Sequence, residues 1–315
     1  MTSYVARRLL ALVPLLLLVS FAVFALVLLI PGDPATTIAG GTKAQPAQVE
    51  RVRHLLHEDQ PFLQRYGSWL GRAVRGDLGQ SIYKNRAVWA DIRARFPVTL
   101  SLALGALVVT VLLGVPAGIA AGTRPGSLID RTITVGSSAA IAIPDFWLGM
   151  VLVVVFAVNI KALPAIGYVP FARNPVDWAT HLYLPWFALG LANAAALARQ
   201  LRGALIDVLE QDYIRTADAK GLRRSVIIGK HALKNASIAP VTVLGLQFAY
   251  LLGGTVIIEQ IFSIPGMGQY FYQALLTKDL PVIQGMVLVV ALTFVLLNLF
   301  VDVLYAYLNP KVRLA

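Results

Sequence analysis

At 315 residues, 57% hydrophobic and only 14% charged, with a mean hydropathy of +0.71, the chain is too apolar for a soluble domain, which carries about 25% charged residues. Its 27 Lys and Arg against 16 Asp and Glu leave a net charge of +11; basic residues set between long apolar runs fit cytoplasmic loops of a membrane protein and argue against nucleic-acid binding. The chain contains no cysteine, which excludes disulfides, thiolate metal sites and cysteine nucleophiles.

A helix needs about 20 apolar residues to cross roughly 30 Å of hydrocarbon. Residues 9–30 form an uncharged run of 22 after Arg7 and Arg8, longer than the roughly 7 to 15 of a signal peptide, and are read as a retained first span. Residues 1–30 are therefore a cytoplasmic N-terminus and first transmembrane helix. Residues 31–95 follow as an extracytoplasmic segment. Within it Phe62, Tyr66, Trp69, Leu70 and Val74 share one helical face after Pro61. That face suits a small cap on the spans or a platform for an outer partner. Residues 96–315 carry five further spans, expected at 96–123, 132–160, 182–198, 235–258 and 280–301, with a cytoplasmic loop over 199–240.

Basic residues alternate between the short loops. Arg7 and Arg8, Arg124 and Arg131, eight residues from Arg199 to Lys234, and Lys311 with Arg313 fall on one side; Lys161, Arg173 and Lys278 fall on the other. The positive-inside rule then puts both termini in the cytoplasm. The expected fold is all-α: a polytopic membrane protein with six transmembrane helices and a small extracytoplasmic helical insert after the first.

The residues offer little for catalysis. His54 and His57 lie at i and i+3 before Glu58 and Asp59, a spacing that suits a solvated helix face better than a metal site. His181 and His231 have no partner suggesting chemistry. Gly229, Lys230 and His231 are the nearest approach to a phosphate loop, without its leading glycine spacing or its hydroxyl. No catalytic residue, metal or cofactor is expected, and any ATP hydrolysis belongs to separate subunits.

Ionisable groups within spans are candidates for a translocation pathway, because an isolated charge in hydrocarbon is costly. Asp145 lies about midway along the third expected span and Glu259 at the outer end of the fifth. Asp302 lies toward the inner part of the sixth, one turn after Asn298. The competing reading has Glu259 and Asp302 facing a subunit interface or snorkelling to a boundary.

The stretch from Arg199 to Pro240 is too long for a plain connector. Residues 211–221 read as a short helix that Asp212 caps and Gly221 stops, and the small Ala217 and Ala219 would let another surface approach closely.

Here the chain resembles the permease subunits of binding-protein-dependent ABC importers of the dipeptide, oligopeptide and nickel type. The resemblance is carried by an ordered series: Arg7-Arg8-Leu9, Ile30-Pro31-Gly32-Asp33-Pro34, Gly76-Asp77-Leu78-Gly79 with Ser81, Ile143-Pro144 with Phe146-Trp147-Leu148-Gly149, and Leu163-Pro164-Ala165 with Gly167. It continues through Asp212-Tyr213-Ile214-Arg215-Thr216-Ala217, Ala219-Lys220-Gly221-Leu222, His231 to Ala236, Ile258-Glu259, Pro265-Gly266, and Val301-Asp302. It implies that Asp212, Tyr213, Arg215, Thr216, Ala217, Ala219, Lys220, Gly221 and Leu222 form a coupling helix seated on an ATPase. It further implies a second homologous permease, two ATP-binding subunits, an extracytoplasmic solute-binding protein, and alternating access in the cytoplasmic membrane. The sequence departs from the broader family in having Arg215-Thr216-Ala217 in place of Glu-Ala-Ala, as the peptide subgroup does. It also has Ala239 where a proline is common, with Pro240 following. Alternatives are a nickel or other small-solute importer, an ion-coupled secondary transporter, a membrane enzyme and a structural subunit.

Overall fold

The computed structural model describes residues 2–26, 33–41, 44–56 and 60–308, and these are helical apart from connecting turns and one isolated bridge between Gln80 and Ala87. Ile30, Pro31, Gly32, His57, Glu58, Asp59, Lys311 and Arg313 lie outside the described residues. The N-terminal helices are α1 (Thr2–Ala25), α2 (Pro34–Ala39), α3 (Pro46–Leu56) and α4 (Phe62–Val74). The next are α5 (Val88–Gly122), α6 (Leu128–Ala142), α7 (Asp145–Leu152), α8 (Pro175–Leu209) and α9 (Asp212–Ala219). The chain finishes with α10 (Arg224–Val226), α11 (Leu233–Ala236), α12 (Ile238–Gly254), α13 (Val256–Ile261), α14 (Met267–Thr277) and α15 (Leu280–Leu308). Two compact units result: Met1–Val98 with Pro265–Leu296, and Thr99–Ile264 with Leu297–Ala315.

In the first unit α4 packs on α1. Phe62, Tyr66, Trp69 and Leu70 meet Val23 and Phe24, and the Tyr66 hydroxyl donates to the Leu17 carbonyl at 3.3 Å. The expected apolar face forms except at Val74, which is 81% exposed at the last turn of α4. The Gly76-Asp77-Leu78-Gly79 motif is a turn: both glycines have positive φ (84° and 83°), and Asp77 Oδ1 accepts the Gly79 amide at 2.9 Å. That turn carries Ser81 to Asp279, whose carboxylate accepts the Ser81 hydroxyl at 2.5 Å and the Ile82 amide at 3.2 Å. At α2, bonds from Thr36 and the nearby Arg53 hold the Asp33 carboxyl below the ordinary carboxylate range.

In the second unit α5 and α8 lie back to back. A Cβ added to Gly114 would stand 2.7 Å from the Ala194 carbonyl, one on Gly118 2.9 Å from Leu201 Cβ, and one on Gly122 3.0 Å from Leu205 Cβ. Glycine at every fourth residue thus lets two backbones approach more closely than side chains allow.

Among the described residues three helices are long and apolar enough to cross a membrane: Val88–Gly122, Pro175–Leu209 and Leu280–Val303. Among the described residues the number rises to five if each of two bent helix pairs counts as one span. α5 begins at Val88, before the expected start at 96, because Val88 and Ile92 are buried and carry the helix past its flanking charges. α8 overruns residues 182–198 at both ends, started by Asn174, whose Oδ1 accepts the amides of Val176 and Asp177.

The third expected span is not one continuous helix. Pro144 lacks an amide and holds Ile143 extended (φ −83°, ψ 121°), so the helical segments on either side meet at 97°. Asp145 is consequently not midway along a span but the first residue of α7, its Oδ1 accepting the Phe146 amide at 2.8 Å. A second bend, of 54° between Arg224–Ala236 and Ile238–Gly253, falls at the very start of the fifth expected span and sets it off from the loop helices before it.

Candidate coupling site

The segment after α8 is built to present a short helix. Gln211 leaves α8 in an extended conformation (φ −73°, ψ 148°) and serves as the N-cap of α9. Asp212 is therefore not the capping residue; it sits in the first turn, where its carboxylate lies 3.4 Å from Arg215 Nη1 and its carbonyl accepts the Thr216 hydroxyl at 2.9 Å.

The helix closes by two bonds that define a Schellman ending. The Gly221 amide donates to the Asp218 carbonyl at 2.8 Å and the Leu222 amide to the Ala217 carbonyl at 3.4 Å. This ending requires a left-handed residue, supplied by Gly221 at φ +72°.

Burial then sorts residues 212–222, the nine candidates and Ile214 among them, into two faces. Ile214 and Ala217 point inward, into a cluster with Leu201 and Leu205 of α8, Ile227, Ala232 and Ala236. The close-approach reading of Ala217 is thus corrected: it is 7% exposed and its contacts are with its own chain. Asp212, Tyr213, Arg215, Thr216, Ala219, Lys220, Gly221 and Leu222 are exposed. The Tyr213 hydroxyl accepts from Asn235 Nδ2 at 2.8 Å, which ties the outer face of α9 to α11. Residues Ile227–Ala232, wound as a π-helix, join α10 to α11, and Gly229, Lys230 and His231 lie in this turn.

The four candidate pathway residues occupy different settings. Glu259, on α13, is fully buried, and its Oε1 accepts the hydroxyls of Thr99 at 2.7 Å and Thr255 at 2.9 Å. It therefore lies within the fold and does not snorkel. The helix carrying Asp145 packs against α13, since a Cβ on Gly149 would meet Phe262 at 3.2 Å and Ile258 at 3.5 Å. Asn298 and Asp302 stand one turn apart on α15, both half-buried. His181 is accounted for locally, its ring nitrogen 2.7 Å from the Asp177 carbonyl.

Sequence reasoning missed two polar contacts beside α9. Arg202 grips Asp130 through two bonds, and Arg224 donates to the Thr123 carbonyl at 2.9 Å. One signal was available for the first: Ser127 stands three residues before Asp130, as in a helix-capping pattern, and its hydroxyl accepts the Asp130 amide at 3.2 Å.

Residues 114–314 match the family of binding-protein-dependent transport system inner membrane components, and residues 1–103 match the N-terminal region of such membrane components. A putative peptide transport system permease protein of Brucella abortus (strain 2308) is 40% identical over 99% of both chains. A glutathione transport system permease protein of Escherichia coli (strain K12) is 42% identical over 99% of both. Among solved structures, the inward-facing MetNI methionine ABC transporter aligns at a TM-score of 0.54 and 18% identity, over 69% of this chain and 96% of that one.

Proposed function

We propose a transport role from one premise: this chain belongs to the family of inner membrane components of binding-protein-dependent transport systems. It is a multi-pass permease subunit of an ABC importer and leaves ATP hydrolysis to ATPase subunits and solute capture to an extracytoplasmic binding protein. Its cargo is a peptide or a peptide-like solute such as glutathione. Relatives named for those solutes, at 40% and 42% identity over 99% of both chains, support that substrate class.

The observation that carries the coupling role is the two-faced build of α9. Ile214 and Ala217 fasten it to the end of α8 while Asp212, Tyr213, Arg215, Thr216, Ala219, Lys220, Gly221 and Leu222 stay exposed. In our reading two ATPases closing on nucleotide push this helix and its counterpart in a second permease, and the apolar anchor passes the displacement into α8 and the helices beside it. Both termini and α9 lie in the cytoplasm; six spans cross the membrane, and residues 31–95 lie outside. Asp145, Asn298 and Asp302 line the path. Glu259, enclosed by Thr99 and Thr255, braces the fold.

The test is reconstitution. Glutathione and dipeptide uptake is measured in proteoliposomes with and without the ATPase partners. Accumulation of one of these solutes that requires ATP and the partner subunits is the expected result. Uptake that persists without them and collapses with the proton gradient would overturn the reading in favour of a secondary carrier.

A further inference from the structure

We infer that the connector between α5 and α6, residues 123–127, together with the first turn of α6 through Asp130, moves with α9 as a single mechanical body, latched by Arg202 and Arg224 as positioning residues. The inference rests on the coupling role proposed for α9 and extends it to an element with no part in the motif.

The two arginines flank α9 in the chain. Arg202 lies in the closing turns of α8 before it, and Arg224 opens α10 after it. Arg224 reaches the connector itself and Arg202 the first turn of α6 that follows it. Arg202 Nε and Nη2 donate to the two carboxylate oxygens of Asp130, the latter bond at 2.8 Å. Arg224 Nη2 donates to the Thr123 carbonyl, one residue beyond the end of α5.

Asp130 is only 3% exposed and closes the connector on itself, accepting the Gly126 amide at 2.8 Å and the Thr134 hydroxyl at 3.4 Å. One carboxylate thus shapes the turn into α6 and ties it to α8. Apolar contact adds to the grip, since Val115 and Ile119 of α5 pack on the cluster that anchors Ile214 and Ala217. Apolar faces can slide past one another, whereas a two-bond guanidinium–carboxylate pair fixes both distance and angle. Held from both flanks of α9, the connector must follow it, carrying the end of α5 and the start of α6. α6 in turn leads directly to the bend at Pro144.

A purely stabilising pair is the competing account, and buried ion pairs are weak evidence for stability. A measurement of relative motion separates the two. The chain contains no cysteine, so spin labels can be placed at Arg124→Cys, Lys161→Cys and Lys220→Cys in the assembled importer, in lipid, with its ATPase partners. Distances are then compared without nucleotide and with ATP and vanadate. The expected result is that labels at 124 and 220 both shift relative to 161 while their separation from each other stays constant. In Arg224→Ala, which removes one exposed side chain and leaves no charge buried, the label at 220 should still respond while most of the shift at 124 is lost. Arg202→Met should show the same loss, and Arg202→Lys, which keeps the charge without the two-bond fork, should restore part of it. A label at 124 that stays still or separates from 220 in the unaltered chain overturns the latch. So does a label at 124 that follows 220 undiminished in both Arg224→Ala and Arg202→Met. A label at 220 that ignores nucleotide overturns the coupling reading as well.

Discussion

At the scale of single residues, Gly221 is where side-chain identity and backbone shape are most directly linked. Its φ of +72° closes α9, and a Cβ there would meet nothing within 4 Å. Any penalty for substitution therefore comes from the backbone, about 1–2 kcal/mol for most residues in the left-handed region. Asparagine tolerates that region and valine does not. Gly221→Asn should consequently keep solute uptake per ATP hydrolysed near the native ratio. Gly221→Val should reopen the turn, displace Leu222 and lower that ratio while ATP hydrolysis continues. Equal ratios for the two variants would show that the turn has no part in coupling. Glu259 teaches the complementary lesson. An acid within an apolar run reads from sequence as a pathway candidate, yet its bonds come from Thr99 and Thr255, and Thr99 lies 160 positions away in the chain. Nothing local to Glu259 announces that partner.

At the scale of elements, periodicity and punctuation found most helices but not their lengths. The short helix and its glycine stop were legible because both are local: a polar start, one amphipathic turn and a residue free to take positive φ. The division of the third span was visible only as Pro144, and proline in a membrane helix is tolerated often enough that an unbroken apolar run outweighed it. The extents of α5 and α8 were hidden because charges such as Asp91, Arg93 and Arg95 end a hydropathy window without ending a helix. The Gly114, Gly118 and Gly122 spacing was equally open to inspection, but its partner α8 follows only from tertiary contact. That packing makes a sharp prediction. Gly118→Ala would force a methyl to within 2.9 Å of Leu201 Cβ and 3.0 Å of the Ala198 carbonyl, and overpacking of this kind costs about 1–3 kcal/mol. Thermal unfolding in detergent should show a lower midpoint for Gly118→Ala. Gly203→Ala, on α8 with nothing within 4 Å of its added Cβ, should be neutral or slightly stabilising. A midpoint for Gly118→Ala as high as that of the unaltered chain would mean that the two backbones do not approach as closely as described.

At the scale of the whole molecule, composition was decisive for solvent and weak for count. An apolar chain of net charge +11 belongs in a membrane on burial energetics alone. How often it crosses depends on where helices bend, and hydropathy does not see bends. Orientation rests on a different quantity, the placement of Lys and Arg in short loops, and it can be tested without disturbing the fold because the chain contains no cysteine. In intact cells a membrane-impermeant maleimide should label Lys161→Cys and Arg173→Cys, and it should reach Lys220→Cys and Lys234→Cys only after permeabilisation. All four positions are exposed in the fold, so silence at Lys161→Cys or Arg173→Cys in intact cells reports the barrier and not burial in the fold. His54→Cys carries the most weight. It lies on α3, 79% exposed, inside the long basic segment to which the charge rule does not apply. If it is labelled from outside, residues 31–95 form an extracytoplasmic insert despite their ten basic residues. If it is protected until permeabilisation, residues 31–95 lie on the cytoplasmic side, and the extracytoplasmic assignment of that segment fails.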